Sequence, residues 1–517
     1  MQLRTGLARW TGSAWTVLLA GVLHGLSFSP SHAWWLQILS LACLAAAAST
    51  AQARRAAYLG SVFGVGWLVS GFWWLYISMH QFGGLPSWMA AAAVVVLAAA
   101  LSLYYALALW LWVRCKPRAD SAWGLGLQAL TWSSCWLLAE LARATFLTGF
   151  PWIASGYAHT VGPLAAFAPY VGVYGLCALA AACAFAVGAW WRVDLSRAQA
   201  ATLSFAMVVL LAVGAVLPNN FTQSTGVMSV SLLQPNVPQD LKFDLTRMQS
   251  NLNDLIEQLG AAKGQLVVTP ESVVPLSRED LGDAAWGQMS APFRGNSNPR
   301  GALLGIFLRD DEGGYVNSLV GVSAAGEAYQ YGKRHLLPFG EVIPPGFGWF
   351  VRMMNIPLAD QARGRNTAAF ELAGQRIRPL ICFEDLFGED MASSMVGPQS
   401  ATVLANASNL AWFGRLLVQD QHLQFSQMRA LEFQRPVVRA TNTGATAVVN
   451  HLGDVVARLP AWQFGTLESQ VEGRTGETPY AQWLSAWGLW PLWALALAGL
   501  FAAHALGRLL GRRPLRA

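Results

Sequence analysis

Long, almost uninterrupted apolar runs fill the first 220 positions of the chain, and a shorter-period mixture of apolar and polar residues replaces them from about Val227. A membrane-spanning helix takes about 20 mostly apolar residues. Runs of that kind lie at roughly 12–28, 34–50, 57–78, 88–113, 123–142, 164–191 and 199–217, with one more at 484–508. The pattern predicts a polytopic α-helical membrane domain with about eight spans. Arg4 and Arg9 precede the first run, as in a signal peptide, but six more runs follow it, so it is expected to stay as an uncleaved helix.

The middle of the chain reads differently. Val227 to Gln234 is rich in β-formers and stops at Pro235. Gln265–Thr269, Ala302–Leu308, Val316–Val322, Ile377–Phe383, Thr402–Leu404, Pro436–Thr441 and Thr446–Asn450 also read as strands. Leu245, Met248, Leu252, Leu255, Ile256 and Leu259 recur at helical spacing and predict an amphipathic helix. A more polar helix is expected over about 418–434. Strands mixed with amphipathic helices in this order imply a layered α/β domain.

Composition sharpens the division. The chain is 54% hydrophobic and 12% charged, against about 25% charged in an ordinary soluble protein. The first 220 residues hold only three acidic side chains, Asp120, Glu140 and Asp194. The organisation expected is therefore a membrane domain over 1–220, a soluble catalytic domain over 221–480, and a final membrane helix with a basic tail over 481–517.

The net charge of +6 does not point to nucleic acid, because the charges are segregated. Arg54 and Arg55, then Arg114, Lys116 and Arg118, then Arg192 and Arg197, then Arg508, Arg512, Arg513 and Arg516 fall in alternate loops. The loops between are nearly free of Lys and Arg, Arg143 excepted. By the positive-inside rule both termini are cytoplasmic. The soluble domain then faces outward, into the periplasm if the membrane is the inner membrane of a Gram-negative cell. Trp34, Trp35, Trp73, Trp74 and Trp88 near span ends suit interfacial belts, and packing aromatics would read the same way.

Three segments of the soluble domain carry candidate chemistry. Thr269-Pro270-Glu271-Ser272 puts a carboxylate just past a strand. Tyr331-Gly332-Lys333 runs through His335-Leu336-Leu337-Pro338-Phe339-Gly340 to Glu341. Ile381-Cys382-Phe383-Glu384-Asp385 puts the domain's single cysteine at another strand end; the other five lie in or beside apolar runs. A lone thiol makes no intradomain disulfide and no multi-thiolate metal site. It is either packing or a nucleophile, and a nucleophile needs a base and an electropositive neighbour. Glu271 supplies a base, and Lys333 a charge for the thiolate and for the oxyanion formed on attack. Each alone has a plainer reading: an inert buried thiol, a turn carboxylate, a solvated ammonium.

Together the three resemble the nitrilase superfamily, which carries Glu, Lys and Cys in this chain order. The match narrows to the bacterial apolipoprotein N-acyltransferases through Tyr331–Glu341, Ala411-Trp412-Phe413-Gly414, Gln421-His422, Arg429-Ala430-Leu431-Glu432 and Arg439-Ala440-Thr441-Asn442. Phe28-Ser29-Pro30, Gly71-Phe72-Trp73-Trp74, Phe82-Gly83-Gly84 and Gly149-Phe150-Pro151-Trp152 in the membrane part are similar too. Departures at Phe243, Thr269, Phe383 and Leu410 spare the trio. The resemblance implies an α-β-β-α nitrilase-like sandwich after the membrane helices. It implies attack of Cys382 on a phospholipid ester, release of a lysophospholipid, and transfer of the acyl chain from the thioester to the α-amine of a diacylglyceryl-cysteine apolipoprotein. Glu271 would be the general base and acid and Lys333 the electrostatic stabiliser, with Glu341 and Glu384 in support. Substrate contacts are expected at Phe243, Phe383, Trp412 and Trp349. No metal or organic cofactor is called for.

Two other readings compete. A membrane-anchored nitrilase-type amidohydrolase would use the same trio, yet eight spans are excessive for an anchor. A transporter with an inactive sensory domain would mark its path with intramembrane charges, and the spans offer chiefly Glu140 and Arg143. One further run stands out, Val342 to Met354, with Pro344, Pro345, Gly346, Phe347, Gly348, Trp349 and Phe350 and almost no charge. It fits a mobile lid that dips into lipid, or else buried core.

Overall fold

The computed structural model describes residues 13–118, 121–191, 195–242, 244–295, 299–343, 346–349, 353 and 360–511. They divide into two compact units. One comprises Met1–Trp73, Ala91–Asn219 and Trp487–Ala517; the other comprises Trp74–Ala90 and Asn220–Ala486.

The first unit is helical. Its helices include Ala14–Leu26, Trp34–Ser49, Ala53–Phe72, Ala122–Thr145, Ala168–Trp190 and Arg197–Val216. Among the described residues, four helices are long and apolar enough to cross a membrane: Ser87–Cys115, Pro163–Trp190, Arg197–Val216 and Trp490–Leu509. A fifth joins them if the bent pair Ala53–Phe72 and Leu75–Phe82 is one span. Ala14–Leu26 and Trp34–Ser49 are apolar but shorter. The run expected over 57–78 starts earlier, at Ala53, and its helix ends at Phe72. The residues beyond Trp73 belong to the other unit.

Small residues let these helices close on one another: a Cβ on Gly21 would clash with the backbone carbonyl of Phe63, and one on Gly66 would clash with that of Leu18. An aromatic stack fills the centre, with Trp67 and Trp136 6.1 Å apart and near parallel and Tyr105 5.0 Å from each. Glu140 and Arg143, expected from the sequence to be intramembrane charges, pair at 2.8 Å, fully buried. Ser155 donates to Glu140 at 2.7 Å and the carbonyls of Phe150 and Trp152 accept from Arg143. Both Glu140 oxygens and both terminal nitrogens of Arg143 are therefore engaged by neighbouring protein groups, which suits a structural tie.

The second unit contains two six-stranded sheets. The first runs in the order β12 (Gly465–Gly476), β1 (Thr222–Gln234), β2 (Leu266–Val268), β3 (Gly301–Arg309), β4 (Tyr315–Ser323) and β5 (Gly326–Gly332). The second runs β11 (Val455–Arg458), β10 (Ala447–Val449), β9 (Val437–Thr441), β8 (Val403–Ser408), β7 (Gln375–Ile381) and β6 (Phe370–Leu372). The period-two alternation of the sequence sorts side chains between two cores. Val230, Leu232, Leu266, Val268 and Leu303 meet Ile377, Val403, Ala405, Val438 and Val448 between the sheets. Their neighbours Leu233, Val267, Ala302, Leu304 and Ile306 turn the other way, onto Leu255 and Leu259 of the helix Leu245–Ala261 and onto Trp286 and Met289. The helix Val418–Phe433 packs against β9 and β10 of the second sheet. This is a four-layered α-β-β-α arrangement.

All eight strands expected from the sequence are present. β5, β6, β11 and β12 were not foreseen, and each is the edge strand of its sheet. An edge strand has only one neighbour and a partly solvated face, so its sequence lacks the apolar signature of an inner strand. β12, with Glu468, Gln470, Glu472 and Arg474, is the extreme case.

Candidate active site

The site collects at strand ends from both sheets. Glu271 follows β2, Lys333 follows β5, Asn317 lies on β4, and Cys382 follows β7 as the first residue of a tight 3₁₀ turn, Cys382–Leu386. Cys382 has φ +55°, in the left-handed region that side-chain-bearing residues seldom adopt. The Nδ2 of Asn406 on β8 holds that turn by donating to the Cys382 carbonyl at 2.8 Å.

Lys333 is buried and its Nζ bridges two carboxylates, 2.7 Å from Glu341 Oε1 and 3.2 Å from Glu271 Oε1. Asn317 Nδ2 donates to the same two oxygens, at 2.8 Å to Glu271 and 3.3 Å to Glu341. The other oxygen of Glu271 accepts from the backbone N–H of Asn409 at 3.0 Å, and that of Glu341 from the N–H of Leu337 at 2.8 Å. Beneath Glu271 lies a second buried ammonium, Lys242, which donates to the Glu271 carbonyl at 3.3 Å and to Ser272 Oγ at 2.7 Å.

The charges sort themselves by these contacts. Burial works to raise the Glu271 carboxyl, but Lys333 and Lys242 outweigh it and hold Glu271 below the usual carboxylate range. Glu341 goes the other way: burial raises it, Lys333 opposes, and the charge on Glu271 adds to burial, leaving Glu341 above the usual range. Burial tends to strip the Lys333 proton, yet the carboxylates of Glu271 and Glu341 hold it well above the ordinary lysine value. Burial brings Lys242 down to about 8, against the pull of Glu271. The Cys382 thiol is pushed well up, first by burial and then by Glu271, with Lys333 opposing. The resting site is thus a neutral thiol beside an ionised Glu271 and a firmly protonated Lys333, a set able to run nucleophilic acyl transfer without a metal.

Glu384 does not touch the Lys333 ammonium. Its Oε2 accepts from the N–H of Ile381 at 2.7 Å and from the Tyr331 hydroxyl at 2.8 Å, and its Oε1 accepts from the N–H groups of Arg334 and His335 at 2.7 and 3.2 Å. It thereby ties the backbone just after Lys333, and the Tyr331 side chain before it, to the backbone just before Cys382. Phe383 is buried, with its ring centroid 5.3 Å from Lys333 Nζ and 5.4 Å from the His335 ring, so it forms a wall over the ammonium. Trp412 stands 5.6 Å from the ring of Phe82, edge to face, in a loop where Phe413 meets Trp74 at 4.8 Å and a Cβ on Gly414 would press on Ile77. Trp74 Nε1 also donates to Gln421 Oε1 at 3.2 Å.

Trp349 is 59% exposed and Phe347 45% exposed on the segment that follows Glu341, so these two are not core residues. Phe243 lies outside the described residues, as do Pro344, Pro345, Phe350–Arg352 and Met354 of the apolar run. Sequence reasoning passed over Asn317, Lys242, Asn406 and Asn409. Lys242 sits in a turn and looks like a surface cation, and the three asparagines carry no charge. The usable signal was the placement of Asn317 and Asn406 inside otherwise apolar strands, where an amide needs buried partners.

Residues 20–186 match the family model described as apolipoprotein N-acyltransferase N-terminal domain, and residues 229–480 match that of carbon-nitrogen hydrolase. The chain is 46% identical over 484 residues to an apolipoprotein N-acyltransferase of Ralstonia nicotianae, covering 92% of this chain and 91% of that one. It is 46% identical over 488 residues to the protein of that name from Verminephrobacter eiseniae, covering 88% and 89%. With that of Bordetella bronchiseptica it is 39% identical over 551 residues, covering 97% and 98%.

Proposed function

We propose that this chain, which belongs to the apolipoprotein N-acyltransferase family, carries its acyl group as a thioester on Cys382. It is a membrane-bound acyltransferase of lipoprotein maturation, and the names of its relatives favour that over amide hydrolysis. The observation that carries the residue assignment is the buried convergence of one thiol, one ionised carboxylate and one protonated ammonium, with Lys333 paired to Glu271 at 3.2 Å.

In the first half-reaction Glu271 takes the thiol proton as sulfur attacks an ester carbonyl of a membrane phospholipid. Lys333 stabilises the oxyanion. The intermediate collapses, the C–O bond breaks, and Glu271 gives its proton to the departing lysophospholipid hydroxyl. In the second, the neutral α-amine of a diacylglyceryl-cysteine attacks the thioester. Glu271 takes the amine proton, the C–S bond breaks, and the thiolate recovers its proton from Glu271. Glu341 holds Lys333 in place, and Glu384 holds the strand ends that carry Lys333 and Cys382.

The wider setting follows the same reading. The apolar helices make up about eight spans, with both termini cytoplasmic and the catalytic unit in the periplasm beside the inner membrane. The exposed Phe347 and Trp349 after Glu341, with Trp412 and Phe383, support a route by which lipid chains reach the thiol. The test is a mass measurement on the purified protein incubated with phospholipid. The peptide bearing Cys382 is expected to gain one fatty acyl group and to lose it when a diacylglyceryl-cysteine peptide is added. Acyl transfer by a Cys382→Ala variant would overturn the assignment.

A further inference from the structure

The turn that carries Cys382 continues into a second buried charge cluster that the steps above do not use. Asp385 Oδ2 accepts from Arg439 Nη1 at 2.9 Å and from Ser426 Oγ at 2.6 Å. Arg439 Nη1 also donates to Ser426 Oγ at 2.5 Å, and its Nη2 lies 2.8 Å from His422 Nδ1. A guanidinium only donates, so His422 Nδ1 accepts and the imidazole is the neutral tautomer with its proton on Nε2. Burial, and then Arg439, hold His422 well below its usual value, which agrees with that assignment. Asp385, Arg439, Ser426 and His422 are all fully buried.

Three elements meet in this cluster: the Cys382–Leu386 turn, β9, and one face of the helix Val418–Phe433, where His422 and Ser426 stand four residues apart. A buried ion pair of this kind is a weak stabiliser, because desolvation offsets most of its attraction. Packing alone would be served as well by apolar side chains. The Arg439 charge, however, acts towards the nucleophile, and Asp385, three residues from Cys382 on the same turn, pairs with it at 2.9 Å. Burial holds Arg439 below the usual guanidinium range, while Asp385 and the Cys382 thiolate pull it back. Asp385 is itself pushed up to about 6 by burial, against Arg439, Ser426 and Arg429. Arg439, left alone, would stabilise a thiolate at rest; Asp385 offsets it.

We propose that Asp385 and Arg439 are a positioning pair for acyl transfer, pinning the turn that presents Cys382 and balancing the charge its sulfur meets from β9. The proposal rests on Cys382 being the nucleophile, and the two fail separately. Absence of an acyl adduct on Cys382 in the parent protein removes the nucleophile, whereas the pair is tested by how the thiol titrates.

The full-length protein in detergent is alkylated with iodoacetamide across a pH series, and the rate is read by mass at the peptide bearing Cys382. Removing the negative charge in Asp385→Asn is expected to move the midpoint down by about one pH unit, and removing the positive charge in Arg439→Gln to move it up by a similar amount. A purely structural pair would move neither, or both in the same direction, and that result overturns the proposal. The double variant Asp385→Asn/Arg439→Gln leaves no unpaired buried charge and keeps the test open where a single variant does not fold. Its midpoint is expected near that of the parent, with kcat for acyl transfer down about ten- to hundredfold at unchanged KM, because the turn is no longer pinned. Parent-like kcat in a folded double variant also overturns the proposal.

Discussion

Glu341 holds the Lys333 ammonium at 2.7 Å, the closer of that cation's two ion pairs, and so sets how much of its charge remains for Glu271. The carboxylate that anchors the lysine is not the one assigned to proton transfer.

Neutralising the anchor is therefore expected to strengthen the hold of Lys333 on Glu271 and make Glu271 a poorer base. Glu341→Gln keeps an acceptor for Lys333 and removes the charge. A charge-assisted hydrogen bond is worth about 1.5–3 kcal/mol, so the single-turnover rate of acyl-enzyme formation should fall roughly ten- to hundredfold with the fold intact. Parent-like acylation by Glu341→Gln would show that the anchor is dispensable.

Lys333 itself should be needed twice, for chemistry and for keeping two buried carboxylates together. Lys333→Met leaves Glu271 and Glu341 facing each other across Asn317, and breaking a buried pair in this way costs about 3–5 kcal/mol. Adding Glu341→Gln should recover much of the melting temperature and none of the turnover. Lys333→Arg is expected to fail as well, since the planar fork does not replace a compact ammonium bridging two oxygens. Glu271→Gln should lower turnover by about 10²–10⁴-fold while leaving a folded protein. Thermal melts set beside acyl-transfer rates for these four proteins separate the two roles.

The proposed trio could be picked out in the sequence because a thiol, a carboxylate and an ammonium at strand ends are chemically distinctive. Glu341 and Glu384 were expected in support of it, but Asn317 was not, and the contacts these groups make could not be read. Asn317 meets Glu271 and Glu341 only once β4 lies beside β5, and Glu384 reaches the N–H groups of Ile381, Arg334 and His335 only once the turns after β5 and β7 converge. Pairings of that kind are tertiary and leave no local pattern. The inner strands announced themselves as short apolar runs rich in β-formers; the edge strands β5, β6, β11 and β12, with one neighbour each, did not.

Glu384 illustrates a structural support whose loss should show in two measurements. Glu384→Ala removes the acceptor from three backbone N–H groups and the Tyr331 hydroxyl, so both thermal stability and acyl-enzyme formation should drop. Tyr331→Phe removes only one of those four bonds and should cost about 1 kcal/mol of stability. A Glu384→Ala protein that melts like the parent would contradict the clamp.

Lys242 should make stability depend on pH in the alkaline range. Its value of about 8 in the fold lies below that of an ordinary lysine, 10.5. Between these values the unfolded chain binds more protons, so stability rises with pH across that window and the lysine's burial is most costly below pH 8. The full difference is on the order of 3 kcal/mol. Relative to the parent, Lys242→Met should therefore gain most at neutral pH and lose that advantage as pH climbs from 8 towards 10.5. Melting curves of the two proteins that run parallel over this range would refute it.

The segment Trp74–Ala90 lies early in the chain but belongs to the unit that holds the thiol, where Trp74, Ile77 and Phe82 cover the loop from Ala411 to Gly414. A ribosome finishes this piece at Ala90, well over a hundred residues before it begins the rest of that unit at Asn220. The nascent segment must wait unpartnered until its socket emerges. By the same token, a fragment cut at Asn220 and Ala486 carries the whole trio yet bares the rings of Trp412 and Phe413 to water. Its solubility, rather than its chemistry, is where such an excision would fail, and supplying residues 74–90 as a separate peptide is the natural remedy.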